Sequence, residues 1–155
     1  MANDAMDINL GDAHAELAAV FAAYEAALVS NDVDTLDALF WASEHTVRYG
    51  TGENLIGIEA IRAFRNARSA QGLARTLRNT VITTYGRDFG TSMTEFVRPS
   101  FEVAGRLVRV GRQSQTWVRT AMPGHGGWRV VAAHVSLIDL PDAADAPVSP
   151  EPRPG

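Results

Sequence analysis

Apolar residues recur every three or four positions in the first part of the chain, a spacing typical of amphipathic helices. Residues 12–30 predict a first helix with one apolar stripe, for which Asp12 is available as the N-cap. Asp32 can cap a short second helix that ends before Trp41. Residues 58–68 predict a third helix, so the helices come first along the chain.

The apolar period changes to two in the rest of the chain, which indicates β-strands. Residues 45–50 form a first short strand between the second and third helices. Four longer runs rich in Thr, Val and aromatic residues follow, separated by Gly and Pro, at 76–85, 91–98, 106–120 and 128–138. This order predicts an α+β fold in which three N-terminal helices cover the concave face of a curved antiparallel sheet.

The length of 155 residues fits one compact domain. We place this domain at 12–138, after a short arm at 1–11. Residues 139–155 are acidic and contain five of the seven prolines, so we expect them to form a disordered tail.

Composition excludes several classes of site. The chain contains no cysteine, and its four histidines have no paired spacing, so we expect no metal and no other cofactor. No window of 18 apolar residues occurs, and the acidic N-terminus lacks the features of a signal peptide. We therefore expect a cytoplasmic protein that does not associate with a membrane.

Charge is strongly segregated along the chain. Residues 1–44 carry nine acids and no cation, whereas residues 45–135 carry thirteen arginines against five acids. No lysine occurs, so every cationic side chain is a planar fork that can bind a carboxylate through two hydrogen bonds. For most of these arginines, pairing with the acidic helices explains the pattern. They are spaced singly, which argues against nucleic-acid binding.

Several sequence blocks resemble known proteins. The order of elements, closing on WRVVAAHVS, resembles the cone-shaped fold of ketosteroid isomerases, polyketide cyclases and nuclear transport factor 2. More narrowly, a set of blocks spread over the domain is similar to a small family that accompanies oxalurate and cyanuric-acid catabolism. These blocks are YEAALVSND, LDALFW, HTVRYGTGENLIG, AIRAFRNAR, RNTVITTYGRDFG, GRQSQTWVR and GWRVVAAHVSL.

The resemblance implies a pocket between the helices and the concave face of the sheet. It also implies an activity, the metal-independent conversion of 1,3-dicarboxyurea to allophanate and carbon dioxide by a decarboxylating amidohydrolase. The family's catalytic tyrosine and arginine match Tyr24 and Arg48 of this chain. Other members are associated with oxalurate breakdown, so a related oxalurate-type substrate is also open.

Tyr24 and Arg48 stand out from the residues alone. Tyr24 lies on the apolar stripe of the first helix, and Arg48 alternates with Val47 and Tyr49 on a short strand. A core tyrosine and an arginine on a solvent-facing edge are the structural alternatives. If both face one pocket, Arg48 would hold a carboxylate of a small anionic substrate and Tyr24 would supply a proton.

The last strand supplies weaker candidates. It alternates one set of side chains that includes His134 and Ser136 with a second set that includes Val135. Core packing of Trp128 would direct His134 and Ser136 to the pocket mouth, as substrate-binding residues, although a structural histidine is equally consistent. The opposite set would then be covered by a second subunit, so we expect a homodimer or higher homo-oligomer. Further substrate-binding candidates, beside turns, are Trp41, Arg75, Glu53 and Asn54.

Two other functions remain open. The chain could be a non-catalytic ligand-binding or accessory subunit that partners an amidase in urea-derivative catabolism, since a fold alone does not define a function. Cyclase or isomerase chemistry would require an aspartate base in the pocket, and no aspartate of the second helix lies on its apolar face.

Overall fold

Three helices and a curved sheet make up the structure, a computed structural model that describes residues 6–141. The helices are Gly11–Val29 (α1), Val33–Leu39 (α2) and Ile58–Ala67 (α3). The strands are Val47–Tyr49 (β1), Asn54–Ile56 (β2), Thr76–Tyr85 (β3), Phe89–Val97 (β4), Glu102–Val103 (β5), Arg106–Leu107 (β6), Arg109–Arg119 (β7) and Trp128–Asp139 (β8).

Six of the strands form one sheet in the order β2-β1-β8-β7-β4-β3. Every neighbouring pair is antiparallel except β1 and β8, which run parallel and align Arg48 with Ala133. Strands β5 and β6 form a separate small hairpin. The predicted α+β cone is confirmed, and β1 joins the long meander through its parallel pairing with β8.

The ends of the elements agree with the predictions with a few differences. Asp32 caps α2 as predicted, because its carboxylate accepts a hydrogen bond from the Thr35 N–H at 3.2 Å. Asp12 is not the N-cap of α1, since that position is Leu10 and Asp12 lies in the first turn. At the other end, β8 includes Asp139, and the Leu140 N–H donates to the Val108 carbonyl. The rest of the expected tail, from residue 142 on, lies outside the described residues.

The core lies between the helices and one face of the sheet. Its members come from all three helices and from β7 and β8, and burial of these apolar side chains is the main source of stability. Trp117, Trp128 and Val130 are fully buried at the sheet side of this core. We call the helix-covered side the inner face and the opposite side the outer face.

A β-bulge in β8 changes which side chains point inward. Trp117 pairs with Val130 and Thr116 pairs with Ala132, so Val131 is an extra residue without an opposite partner. Because side chains alternate with a period of two, one extra residue reverses the alternation beyond it. The set that includes Val135 therefore lies on the inner face, and the set that includes His134 lies on the outer face.

Ion pairs join the acidic helices to arginines of α3 and the sheet. Glu25 of α1 binds Arg75 at 2.7 Å, and Asp37 of α2 binds Arg65 at 2.6 Å. Both arginine side chains are almost completely buried. More exposed pairs join Glu16 to Arg119 and Asp12 to Arg87. The segregation of charge along the sequence thus has a structural explanation for these four arginines.

Candidate anion-binding site

A cavity of about 260 Å³ opens on the inner face, between β1, α3 and the ends of β4 and β8. Three of its lining residues are arginines, and one is a glutamate. The side chains around them are mostly aromatic or aliphatic, which lowers the local dielectric and strengthens electrostatic interactions. The lining consists of Arg48, Thr51, Glu53, Phe64, Arg68, Phe96, Arg98, Phe101, Val135 and Leu137.

Arg48 projects into this cavity from β1. Its Nη1 donates to Glu53 Oε1 at 3.0 Å, and its guanidinium lies over the Phe64 ring of α3 at 5.6 Å. Gly50 makes the ion pair possible, since a Cβ at that position would collide with the Glu53 carboxylate. Arg48 is therefore oriented by a carboxylate and an aromatic ring, and Nη1 is the donor that it uses for the ion pair.

Arg68 follows the last turn of α3 and has no carboxylate partner within the described residues. Its Nε and Nη2 are buried, and they make no hydrogen bond within residues 6–141. Burial holds the pKa of Arg68 below its usual value, and the neighbouring cations Arg65, Arg48 and Arg98 lower it further. The positive charge at this position is thus poorly compensated by the protein itself.

Arg98 completes the positively charged wall. Its Nη1 donates to the Gly72 carbonyl at 2.6 Å, and its guanidinium lies 5.4 Å from the centre of the Phe96 ring. Burial lowers the pKa of Arg98, and the nearby Arg75 cation acts in the same direction. A bound anion would stabilise the charged form of both Arg98 and Arg68, and so offset the effects of burial and of the neighbouring cations.

Tyr24 lies deeper than the cavity lining. It is 4% exposed, and its ring contacts Phe40 and Trp117 with centroid distances of 6.2 Å. The phenol is close enough to Arg68 to affect the pKa of that guanidinium. The structure therefore places Tyr24 in the core next to Arg68, and Arg48 in the cavity wall.

Arg75 and Trp41, two predicted substrate contacts, lie outside this cavity. Arg75 is held behind Phe96, where it stacks at 4.6 Å and binds both Glu25 and Gln113. Trp41 is half-buried, and its main chain connects to β8 and to the Thr46 hydroxyl. Neither side chain is part of the lining, because Arg75 is fully used in an ion pair and Trp41 is fixed at the end of α2.

The prediction that His134 and Ser136 reach the pocket mouth is wrong. Both line a shallow depression of about 370 Å³ on the outer face, together with Arg112 and Met93. The His134 ring contacts Tyr49 there, at a centroid distance of 6.2 Å. The cause is the bulge at Val131, which reverses the alternation of β8 between the core residues and the end of the strand.

Several lining residues were not among the predicted site residues. Glu53 was a weak candidate and proves to be the carboxylate partner of Arg48. Asn54, its neighbour in β2, is exposed and does not line the cavity. Arg68 and Arg98 gave no signal beyond the excess of arginine. What sets them apart is that no acidic side chain of residues 6–141 pairs with either of them in three dimensions.

Residues 6–141 contain neither a cluster of metal-binding side chains nor a membrane-spanning helix. No three His, Asp or Glu side chains in this range converge as they would around a metal ion. None of its helices combines the length and apolar character needed to cross a bilayer.

The fold is similar to that of nuclear transport factor 2-like proteins. One of these, from Salmonella enterica serovar Typhimurium, is 23% identical, covers 81% of this chain and 90% of its own, and superposes with a TM-score of 0.59. Two other solved structures are much more similar in sequence. No curated protein matches the chain significantly.

The first of these structures is a protein of unknown function from the DUF3225 family of Pectobacterium atrosepticum. It is 57% identical, with a TM-score of 0.76 over 85% of this chain and 95% of its own. The second is a protein with a cystatin-like fold from Burkholderia xenovorans, 45% identical, with a TM-score of 0.77 over 88% and 100%. The AtzH-like family model matches residues 6–141, so the chain belongs to the AtzH-like family.

Proposed function

We propose that this protein is a metal-independent enzyme that removes carbon dioxide from an N-carboxylated urea, converting 1,3-dicarboxyurea or a related oxalurate-type substrate. The observation that carries the proposal is the cavity with three arginines, one glutamate and an apolar surround, behind whose lining the buried Tyr24 interacts electrostatically with Arg68. Membership of the AtzH-like family supports a role in cyanuric-acid catabolism. The only partner this reaction requires is the small anionic substrate.

The reaction needs a carboxylate grip and a proton. Arg48 is already oriented by Glu53 and Phe64, so its free donors can hold the carboxylate that will leave. Tyr24 is the proton donor that delivers a proton to the carboxylated nitrogen. The bond between this nitrogen and the carboxylate carbon then breaks, its electron pair stays on nitrogen, and carbon dioxide leaves. Water returns the proton to the phenolate.

The apolar surround favours this chemistry. Phe64, Phe96 and Phe101 keep water away from the arginines, so the electrostatic interaction with the substrate is stronger than in solvent. Loss of carbon dioxide converts a carboxylate into a neutral molecule, which leaves such an environment readily. Glu53 is the only carboxylate in the described lining, and its pairing with Arg48 makes it a positioning residue in this scheme.

The test is carbon dioxide release from freshly prepared 1,3-dicarboxyurea. We expect the wild-type protein to release it faster than buffer does. Tyr24→Phe should slow release by about 10² to 10⁴, the usual contribution of a proton donor. Arg48→Lys keeps the charge but loses the planar fork, and should cost about 10² in rate with little change in stability.

Tyr85→Phe is a matched control, because Tyr85 is on β3 and contacts Phe89 away from the cavity. It should leave the rate unchanged. A core role for Tyr24 predicts instead a stability loss of about 1 kcal/mol with turnover preserved. If turnover survives both Tyr24→Phe and Arg48→Lys, the catalytic assignment is wrong. If the wild-type protein has no activity but binds the substrate, an accessory role replaces it.

We also propose that the protein forms a homo-oligomer through the outer face. This face carries exposed apolar side chains, including Tyr49 and Met93, at 40% and 51% exposure. The interface predicted from the sequence was the face of the last strand that includes Val135. The outer face takes its place in this proposal, because the structure places Val135 in the cavity wall. Met93→Arg should shift the protein to monomer in sedimentation experiments. Val103→Arg, on the exposed β5–β6 hairpin, should not.

A further inference from the structure

Arg68 differs from the other arginines of α3 and its end. Arg62 pairs with Glu59 on the helix surface, and Arg65 binds Asp37 and lies over the Phe40 ring. Arg68 lines the cavity and has two buried guanidinium nitrogens without a partner within the described residues. Leaving buried donors unpaired is unfavourable, and more so when the group is charged. A ligand that pairs with them would recover that energy.

The charges of the lining indicate what kind of ligand this is. Glu53 neutralises Arg48, so Arg68 and Arg98 leave the described lining with a net charge of +2. Arg98 already uses one donor on the Gly72 carbonyl, whereas the Nε and Nη2 of Arg68 make no hydrogen bond within residues 6–141. A ligand with one carboxylate at Arg48 would leave the charge of Arg68 uncompensated. A ligand with a second carboxylate would not.

We propose that Arg68 binds a second carboxylate of the substrate and is the residue that selects small dianions over monoanions. The inference rests on the proposed function, in which Arg48 binds the first carboxylate. Arg68 is half-buried at the cavity wall, and its Nε and Nη2 are the donors for the second carboxylate.

The volume of the cavity limits the size of the dianion. At about 260 Å³ it accommodates a molecule with a short linker between two carboxylates and excludes long dicarboxylates and polycyclic compounds. The aromatic lining contacts the linker, so the two carboxylates at its ends decide specificity. An N-carboxylated urea that carries two carboxylates fits these requirements.

Binding of two stable probes tests the inference without depending on turnover. Glutarate has two carboxylates, and pentanoate has the same chain with a methyl group in place of one of them. We expect wild-type protein to bind glutarate at least about tenfold more tightly than pentanoate in calorimetry, since one charge-assisted hydrogen bond is worth that factor or more. Arg68→Gln should reduce this ratio to about one, mainly by weakening glutarate.

Arg62→Gln is the matched control, because it removes the same charge from the same helix outside the cavity. It should keep the wild-type ratio, and Arg68→Lys should restore part of it. The inference is overturned if Arg68→Gln retains the preference for glutarate, or if the wild-type protein shows none. Under either result, the effect of Tyr24→Phe on carbon dioxide release still tests the proposed reaction. Conversely, a protein that binds glutarate through Arg68 and releases no carbon dioxide refutes only the proposed reaction.

Discussion

Two groups of arginines in this molecule have the same chemistry and different surroundings. Arg65 and Arg75 lie at the contact between the helices and the sheet, and each is buried against a carboxylate from an acidic helix. Arg68 and Arg98 lie in the cavity wall, where burial lowers the pKa of both and no carboxylate binds either within residues 6–141. The first group is satisfied by the protein, and the second is available to a ligand.

The comparison shows how to separate structural from functional arginines in an arginine-rich chain. Deep burial does not mark an arginine that is open to a ligand, since Arg65 and Arg75 are almost completely buried whereas Arg68 and Arg98 are only half-buried. The difference is the partner, because a buried ion pair completed within the fold has no donor left for a substrate. An arginine whose cost of burial is not offset by the fold is therefore a candidate for binding an anion.

The largest expected effect is on the structural group. Arg75→Met removes the partner of Glu25 and leaves a buried carboxylate uncompensated, so unfolding free energy should fall by about 3–5 kcal/mol. Urea denaturation followed by circular dichroism measures this loss. The cavity variant Arg48→Lys should not show a loss of that size.

The double variant Arg75→Met with Glu25→Leu provides the control. Removing both charges should recover most of the stability, because an apolar pair of similar volume replaces a buried ion pair at little cost. If Arg75→Met is as stable as wild type, Arg75 is not a structural residue and the distinction between the two groups fails at its first member.

Most of the fold follows from local patterns in the sequence. The three helices and the long strands begin and end within two or three residues of their predicted bounds, since periods of 3.6 and two are strong signals over ten or more residues. Strand β2 was not predicted, because three residues between turns carry no period. The bulge at Val131 was also missed, as nothing in the local alternation distinguishes an extra residue from a paired one.

The site could be predicted only in part, for a physical reason. Arg48 was found because a charged residue on a short apolar strand is unusual, and the structure places it in the cavity wall. Arg68 and Arg98 were not found, since their distinction is the lack of a carboxylate neighbour, which depends on distant elements. His134 was assigned to the wrong face because that assignment depended on unbroken alternation along β8.

The smallest expected effect is on the cavity group and completes the comparison. Arg68→Met replaces a half-buried, poorly compensated cation with an apolar side chain of similar length, so unfolding free energy should stay the same or rise by about 1 kcal/mol. Urea denaturation again measures this change. A loss like that expected for Arg75→Met would show that Arg68 is satisfied within the fold.

Glutarate adds a second measurement, because a ligand that binds only the native state raises its stability. It should stabilise wild type and Arg62→Met but not Arg68→Met, since the arginine that contributes least to folding is the one that the ligand needs.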